Sequence, residues 1–505
     1  MSVDAAVATA PNLSKQDDRS HANRWWILVV LALAQVMVVL DSTIVNIALP
    51  TAQTDLGFSN ADRQWVVTGY ALAFGSLLLI GGRLADFFGR KWALLVGLTG
   101  FAIASAVGGA AVNFGMLVAA RAVQGAFGAL LAPAVLALLT TTFTDPKERG
   151  KAFGIFGGIA GAGASIGLLL GGFLTEYASW RWTLYVNLII AVVTFAGAMV
   201  FLPRHERAED RAGSDTWGTI SITAGLFAVV YGFSNADQHG WGAPLTIISL
   251  AVGAVLLAAF VVIEQRVRNP ILPLRVVLDR NRGGAFLVMF LSGIGMFAVF
   301  LFLTYYLQAI LRYSAVKSGA AFLPMTAMII VVAATGSAVL VTRVSSRILI
   351  PTGMVLAAFA LFLLTHINVS GNYTTVVLPA MLIMGAGLGL VFAPGFNLAV
   401  LGVSPEDSGV ASAAVNVSQQ IGGSVGTSLF NTIAGTVVAN YLAAHLVGQP
   451  PGSPQYLLTQ ANAQLHSYTV AFWIAAAVFL GGAVVSALVL KSGVAQSDGQ
   501  PAMGH

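Results

Sequence analysis

The chain has 505 residues, of which 57% are hydrophobic and only 9% are Asp, Glu, Lys or Arg, and its mean hydropathy is +0.83. Soluble proteins carry about 25% charged residues, and at about 20 apolar residues per membrane-spanning helix this composition excludes a soluble multidomain enzyme and leaves room for a dozen or more spans. The net charge of +5 is scattered through loops, which offers no footing for nucleic acid, and without cysteine there are neither disulfides nor thiolate metal sites.

Residues 1–24 are polar and of mixed charge (Lys15, Asp17, Asp18, Arg19), with no cleavable signal pattern, so they read as a cytoplasmic tail and the first apolar run as a retained anchor. Apolar runs bounded by charges, Pro and Gly then predict fourteen spans, near 25–48, 61–82, 92–112, 115–140, 152–174, 182–202, 217–234, 245–265, 284–309, 319–341, 348–366, 375–399, 409–437 and 469–490. The pattern is most broken around the seventh and eighth, at Gly232, Asn235, Asp237 and Gly240. The uncharged stretch 438–468, with prolines at 450, 451 and 454, reads as the longest outer connector. With the N-terminus inside, outer loops hold only Arg63, Arg181, Arg312 and Lys317, and Arg121 lies within a span, which leaves 20 of the 25 basic residues on the inner side. Positively charged loops are retained in the cytoplasm, so both termini are expected there, in a multi-pass plasma-membrane protein.

The chain also repeats. Gly163, Ser165 and Gly167 of the fifth span match Gly422, Ser424 and Gly426 of the thirteenth at an offset of 259 residues, as Gly150 and Ala152 match Gly409 and Ala411. Ala132 and Pro133 match Ala393 and Pro394 at an offset of 261. The fold class expected is all-α integral membrane. Two six-helix bundles (25–202 and 284–490) flank a linker with two additional helices (203–283), and a cytoplasmic tail follows (491–505). Secondary transporters are commonly built this way, with the substrate site between the halves at mid-membrane.

Several motifs lie on this frame. They are LDSTIVNIALP (40–50), QWVVTGYAL (64–72), GRLADFFGRK (82–91), RAVQG (121–125), and WRW (180–182) followed by Asn187. Together they resemble the fourteen-span drug:proton antiporters, the multidrug exporters of the major facilitator superfamily, over residues 25–490. The resemblance implies a major facilitator fold, a gating role for Gly82, Asp86, Gly89, Arg90 and Lys91, and proton coupling through the fourth-span motif. In one place the chain departs from it. The fifth-span antiporter motif has Gly-Pro ahead of Gly-Gly, and here Leu168 stands in the proline's place between Gly167 and Gly171–Gly172.

The residues themselves add a chemical reading. Asp41 is the only acid deep within an apolar run, where an ionised carboxylate costs roughly 2.5–3.5 kcal/mol; a carboxyl so placed is suited to load and release a proton. Arg121 and Asp41 both lie about 10 Å from the outer ends of their spans at 1.5 Å per residue, which predicts a shared cavity and a coupling pair. Gln35, Asn46, Tyr70, Gln124, Tyr305, Tyr306, Gln308, Asn397, Asn416 and Gln419 are the candidate substrate-cavity residues. Each is alternatively an interhelical hydrogen-bonding or interfacial residue. Gly163, Gly167, Gly171 and Gly172 are helix-packing residues, either within a half or at a sliding surface between halves. Asp86 has a physical reason to sit at a helix N-terminus, and the start of the thirteenth span offers one beside Ser408 and Gly409, with Glu406 and Asp407 available to Arg90.

The seven histidines form no i, i+3 or i, i+4 pair, so no metal site is expected. No phosphate loop occurs, since Gly150-Lys151 is followed by Ala152. The function expected is therefore cofactor-free, proton-gradient-driven export of lipophilic drugs or antibiotics by a monomer in the lipid bilayer, with a small lipophilic substrate and protons as its partners. A lipid translocator, or a proton-independent or importing facilitator, remains the alternative. A membrane enzyme is disfavoured because no His, Cys or acid pair is embedded.

Overall fold

A chain that lies in lipid must satisfy its backbone polar groups within each segment, and helices do so. The computed structural model describes residues 11–58, 62–203, 215–267, 270–339, 344–404, 407–446 and 449–491, and among them there are helices and connecting turns but no strand. The first bundle contains α1 (Pro11–Leu56), α2 (Arg63–Phe88), α3 (Arg90–Gly109), α4 (Phe114–Thr142), α5 (Pro146–Tyr177) and α6 (Trp182–Phe201). Then come α7 (Thr216–His239), α8 (Pro244–Glu264) and the short α9 (Leu274–Leu278). The second bundle contains α10 (Arg280–Tyr305), the short α11 (Ala315–Ala321), α12 (Leu323–Val339), α13 (Ser346–Leu364), α14 (Leu378–Val400), α15 (Ser408–His445) and α16 (Pro454–Val489). π-helical turns extend α10 (Tyr306–Ile310) and open α14 (Tyr373–Val377).

Among the described residues fourteen helices have 17 residues or more. Twelve helices among the described residues are long and apolar enough to cross a membrane. The other two long ones, α5 and α15, pack between the halves, α5 on α12 and α14 and α15 on α2 and α4, and α15 carries Ser, Asn and Gln along its length. Helices facing protein rather than lipid need less apolar surface. The opposite case is α8, which leaves Ile247, Ile248 and Val255 exposed, as a lipid-facing helix does.

Two spans run longer than the hydropathy pattern indicates. α1 starts at Pro11 and continues through Pro50 to Leu56, beyond 25–48 at both ends. The stretch 438–468 is mostly helix, not connector, because α15 continues to His445 and α16 begins at Pro454. Ser453 caps α16 by accepting from the Tyr456 N–H at 3.2 Å, and Pro454 occupies the first turn, where its missing N–H is harmless. A polar helix end outside the membrane carries no hydropathy signal.

The internal repeat has a packing counterpart. Gly163, Gly167 and Gly171 of α5 seat Val39, Thr43 and Ile44 of α1, and Gly422 and Gly426 of α15 seat Phe290 and Ile294 of α10. The glycine stripe therefore packs within each half; Gly172 beside it is buried. α5 meets the second half through other residues, where Gly157 meets Ala393, Gly158 meets Ile330 and Leu169 lies against Gly319 of α11. The α7–α8 pair lies along the seam between α2 and α15, with Thr68 and Ser234 hydroxyls 2.9 Å apart on one side and Trp241 Nε1 donating to Thr432 Oγ1 at 2.9 Å on the other.

Candidate functional site

Four helices of the first bundle converge on one buried carboxylate. Asp41 of α1 is fully buried and Arg121 of α4 is 2% exposed. Arg121 Nη1 donates to Asp41 Oδ2 at 2.6 Å and to Gln124 Oε1 at 2.6 Å. Gln124, one helical turn after Arg121, returns Nε2 to Asp41 Oδ1 at 2.7 Å and to Ser105 Oγ of α3 at 2.6 Å. Asn187 of α6 donates Nδ2 to the same Asp41 Oδ1 at 2.7 Å and to Ser105 Oγ at 3.2 Å. Above the guanidinium lies the Tyr70 ring of α2, 4.4 Å from Arg121 Cζ, and Arg121 Nε reaches the Val66 carbonyl at 3.4 Å.

A buried charge pair is tolerable only when its remaining hydrogen-bonding positions are filled. Here one carboxylate receives three side-chain donors. The depth match expected from sequence is thus a direct ion pair, but the two groups are sealed among the helices rather than open to a cavity. Two polar atoms in the network, Tyr70 Oη and Asn187 Oδ1, have no hydrogen-bond partner among the described residues.

The second constellation lies at the end of the bundle where the basic residues gather, here called the basic end. α2 stops at Phe88, and Gly89 turns the chain into α3 with φ of 99°, a conformation side chains rarely adopt. Asp86 Oδ1 accepts from the Gly409 N–H at 3.1 Å, at the start of α15, where a helix N-terminus favours a carboxylate. Arg90 Nη2 donates to Ser408 Oγ at 2.6 Å and lies 3.7 Å from Asp86. Gly82 sits so close to α15 that a Cβ there would come 2.6 Å from the Gly409 carbonyl oxygen. Asp407 pairs with Arg275 at 2.6 Å, not with Arg90, and Glu406 lies outside the described residues. Lys91 donates back to the Leu202 carbonyl. Arg149 of α5 completes the closure by donating Nε to Asn397 Oδ1 of α14 at 3.0 Å.

The basic end is therefore shut by α2–α15 and α5–α14 contacts. Toward the opposite end α11 packs on α5, but no comparable packing joins α1 to α10 among the described residues.

This geometry is of a known kind. The Major Facilitator Superfamily profile matches residues 31–427. The chain belongs to that family. Among similar facilitators are the puromycin resistance protein pur8 of Streptomyces alboniger, 47% identical over 97% of each chain, and the cephamycin export protein CmcT of Amycolatopsis lactamdurans, 38% identical over 79% of this chain and 82% of that one. The tetracenomycin C resistance and export protein of Streptomyces glaucescens is 33% identical over 79% and 74%. The human organic anion transporter MFSD10 superposes with a TM-score of 0.59 at 15% identity, covering 92% of this chain and 99% of that one, a likeness of fold. This facilitator is a transporter, not an enzyme.

The candidate cavity residues divide within the facilitator fold. Tyr70 and Gln124 belong to the ion-pair network, and Asn397 to the closure at the basic end. Tyr306 is buried and donates to the Asn368 carbonyl at 3.0 Å, and Asn416 donates Nδ2 to the Ser412 carbonyl of its own helix at 2.9 Å. Gln35 is buried in α1, Gln308 and Gln419 are half-buried, and Tyr305 is exposed beside Tyr468. The Asn46 side chain lies outside the described residues. Two members of the network were not singled out from sequence as site residues. Asn187 appears there only as the end of a motif, although an amide within an apolar run is a usable signal. Ser105 carries no signal, because serine is ordinary in membrane helices.

Proposed function

We propose that this facilitator is a proton-coupled antiporter that exports lipophilic drugs, antibiotics or related toxic small molecules by alternating access. It works as a monomer in the plasma membrane, without a cofactor, and its basic end and both termini face the cytoplasm. The observation that carries the reading is the buried Asp41–Arg121 pair with Gln124 and Asn187 around it. Relatives named for resistance to, or export of, puromycin, cephamycin and tetracenomycin C support the substrate class.

The chemistry follows from the donors. An ionised Asp41 holds Arg121, and a proton arriving from outside cancels that attraction. The neutral carboxyl then needs an acceptor where it had donors. Asn187 meets both needs, since its amide offers a donor to the carboxylate and, on rotation, an acceptor to the carboxyl O–H. Arg121, released, keeps Gln124, the Val66 carbonyl and the Tyr70 ring as partners. Protonation thereby loosens α1 from α4 without stranding either charge. One proton moving across 100 mV supplies about 2.3 kcal/mol, enough to concentrate a neutral solute tens of fold at about 1.4 kcal/mol per tenfold.

The test is a substrate panel in proteoliposomes with an imposed pH gradient. The native chain is expected to accumulate at least one lipophilic drug with counter-flux of protons, and Asp41→Asn to lose gradient-driven uptake. Retention of that uptake in Asp41→Asn overturns the coupling site. Uptake without proton flux points to a proton-independent facilitator, and lipid flux to a lipid translocator.

A further inference from the structure

The Trp180–Arg181 motif contributes no atom to the ion-pair network, yet it ties together three helices of that network, α1, α3 and α6. Arg181 precedes α6 and sends Nη1 to the carbonyl oxygens of Gly109 (2.9 Å) and Ala111 (2.6 Å) at the C-terminal end of α3. Its Nη2 reaches Asp55 Oδ2, in the last turn of α1, at 3.0 Å. That same oxygen accepts from Trp180 Nε1 at 2.9 Å, and the guanidinium lies 4.6 Å from the Trp180 ring centre.

Helix electrostatics explain the placement. The C-terminal end of a helix bears orphan carbonyls and partial negative charge. A carboxylate in the last turn of α1 is unfavourable by itself, and one cation answers both it and the end of α3. The buried Trp180 indole also joins Leu40, the neighbour of Asp41, in one apolar cluster.

The helices fastened in this way carry Asp41 (α1), Ser105 (α3) and Asn187 (α6). Arg121 and Gln124 come from α4, which none of these bonds touches. Ser105 lies four residues before Gly109 and Asn187 six after Arg181, about 6 and 9 Å along their helices. We infer that Arg181, Asp55 and Trp180 form a positioning clip that holds Asn187 against Asp41 and so sets the pH at which Asp41 exchanges its proton. Its bearing on transport rests on the proposed coupling at Asp41. A carboxylate that loses a hydrogen-bond donor keeps its proton to higher pH, so a loosened clip displaces a titration upward, whereas a merely structural fault lowers only the yield of folded protein.

The experiment is an infrared pH titration of the full chain in lipid vesicles, with the Asp41 carboxyl band identified by its loss in Asp41→Asn. In Arg181→Gln and in Asp55→Asn the midpoint is expected to rise by about half to one pH unit, part of the worth of a charged hydrogen bond. Arg181→Lys, which keeps the charge but not the three-way reach, is expected to fall between. In an Asn187→Ala background Arg181→Gln is expected to add nothing, because the clip acts through Asn187. An unmoved midpoint in Arg181→Gln, or a full additional displacement on top of Asn187→Ala, overturns the clip. The titration needs no transport, so a clip that behaves as expected in a chain without gradient-driven uptake refutes the coupling reading alone.

Discussion

Replacing Gly82 with alanine tests whether the basic end closes by direct backbone approach. In the closed arrangement a Cβ at this position lies 2.6 Å from the Gly409 carbonyl oxygen and 2.9 Å from the Ala413 Cβ. Neither neighbour is the far end of a flexible side chain, so α2 and α15 must separate to admit it. Overpacking of this kind costs about 1–3 kcal/mol, and only the state in which the two helices touch bears it. At about 1.4 kcal/mol per tenfold, the equilibrium moves roughly 5- to 150-fold toward the open basic end. The chain has no cysteine, so a single one can report. Ser412 is fully buried one turn along α15 from Ser408, whose carbonyl its hydroxyl contacts. With Ser412→Cys as the reporter, Gly82→Ala should raise the rate of labelling by a membrane-impermeant maleimide from the basic side by about that factor. An unchanged rate in a variant that melts normally would refute closure through this contact.

Three further outcomes are expected. Asn187→Leu removes a donor to a buried carboxylate, worth about 1.5–3 kcal/mol, and should raise the pH midpoint of gradient-driven uptake by about one to two units; a midpoint at the native value counts against the network. Gly89→Ala meets no atom within 4 Å but forces a side chain onto φ of 99°. It should destabilise the fold by about 1–3 kcal/mol through backbone strain alone, seen as a lower melting temperature in detergent. Gly167→Ala and Gly422→Ala drive a methyl group into α1 and α10 respectively, against Thr43 and the Phe290 carbonyl. If the two halves pack as a repeat, both variants should lower thermal stability to a similar degree; a large loss in only one of them breaks the equivalence.

Much of the site was legible because charge is rare in this chain. Asp41 and Arg121 stand out against apolar neighbours, and equal depth was enough to pair them. Gln124 lies one turn from Arg121 on the same face, which pointed to the cavity but not to its actual bonds with Asp41 and Ser105. The Asp86 contact with the α15 N-terminus follows from helix electrostatics, whereas the Arg90 bond to Ser408 and the turning of Asp407 to Arg275 do not. The two readings of the glycine stripe were equally open from spacing, since packing inside a half and sliding between halves both need small residues every fourth position.

From the order of amino acids alone come the membrane class, the succession of long helices, the basic end, the internal repeat and the two embedded charges. Each is a local property: hydropathy over a window, the sign of a loop, or recurrence at a fixed offset. Tertiary structure decided that Asn187 and Ser105 complete the carboxylate's shell, that α7 and α8 lie along the α2–α15 seam, and that the basic end is the closed one. Those facts depend on distances between residues 80 to 323 positions apart. Such distances are set by how many similar helices pack, and hydropathy is the same on every side that packing chooses among.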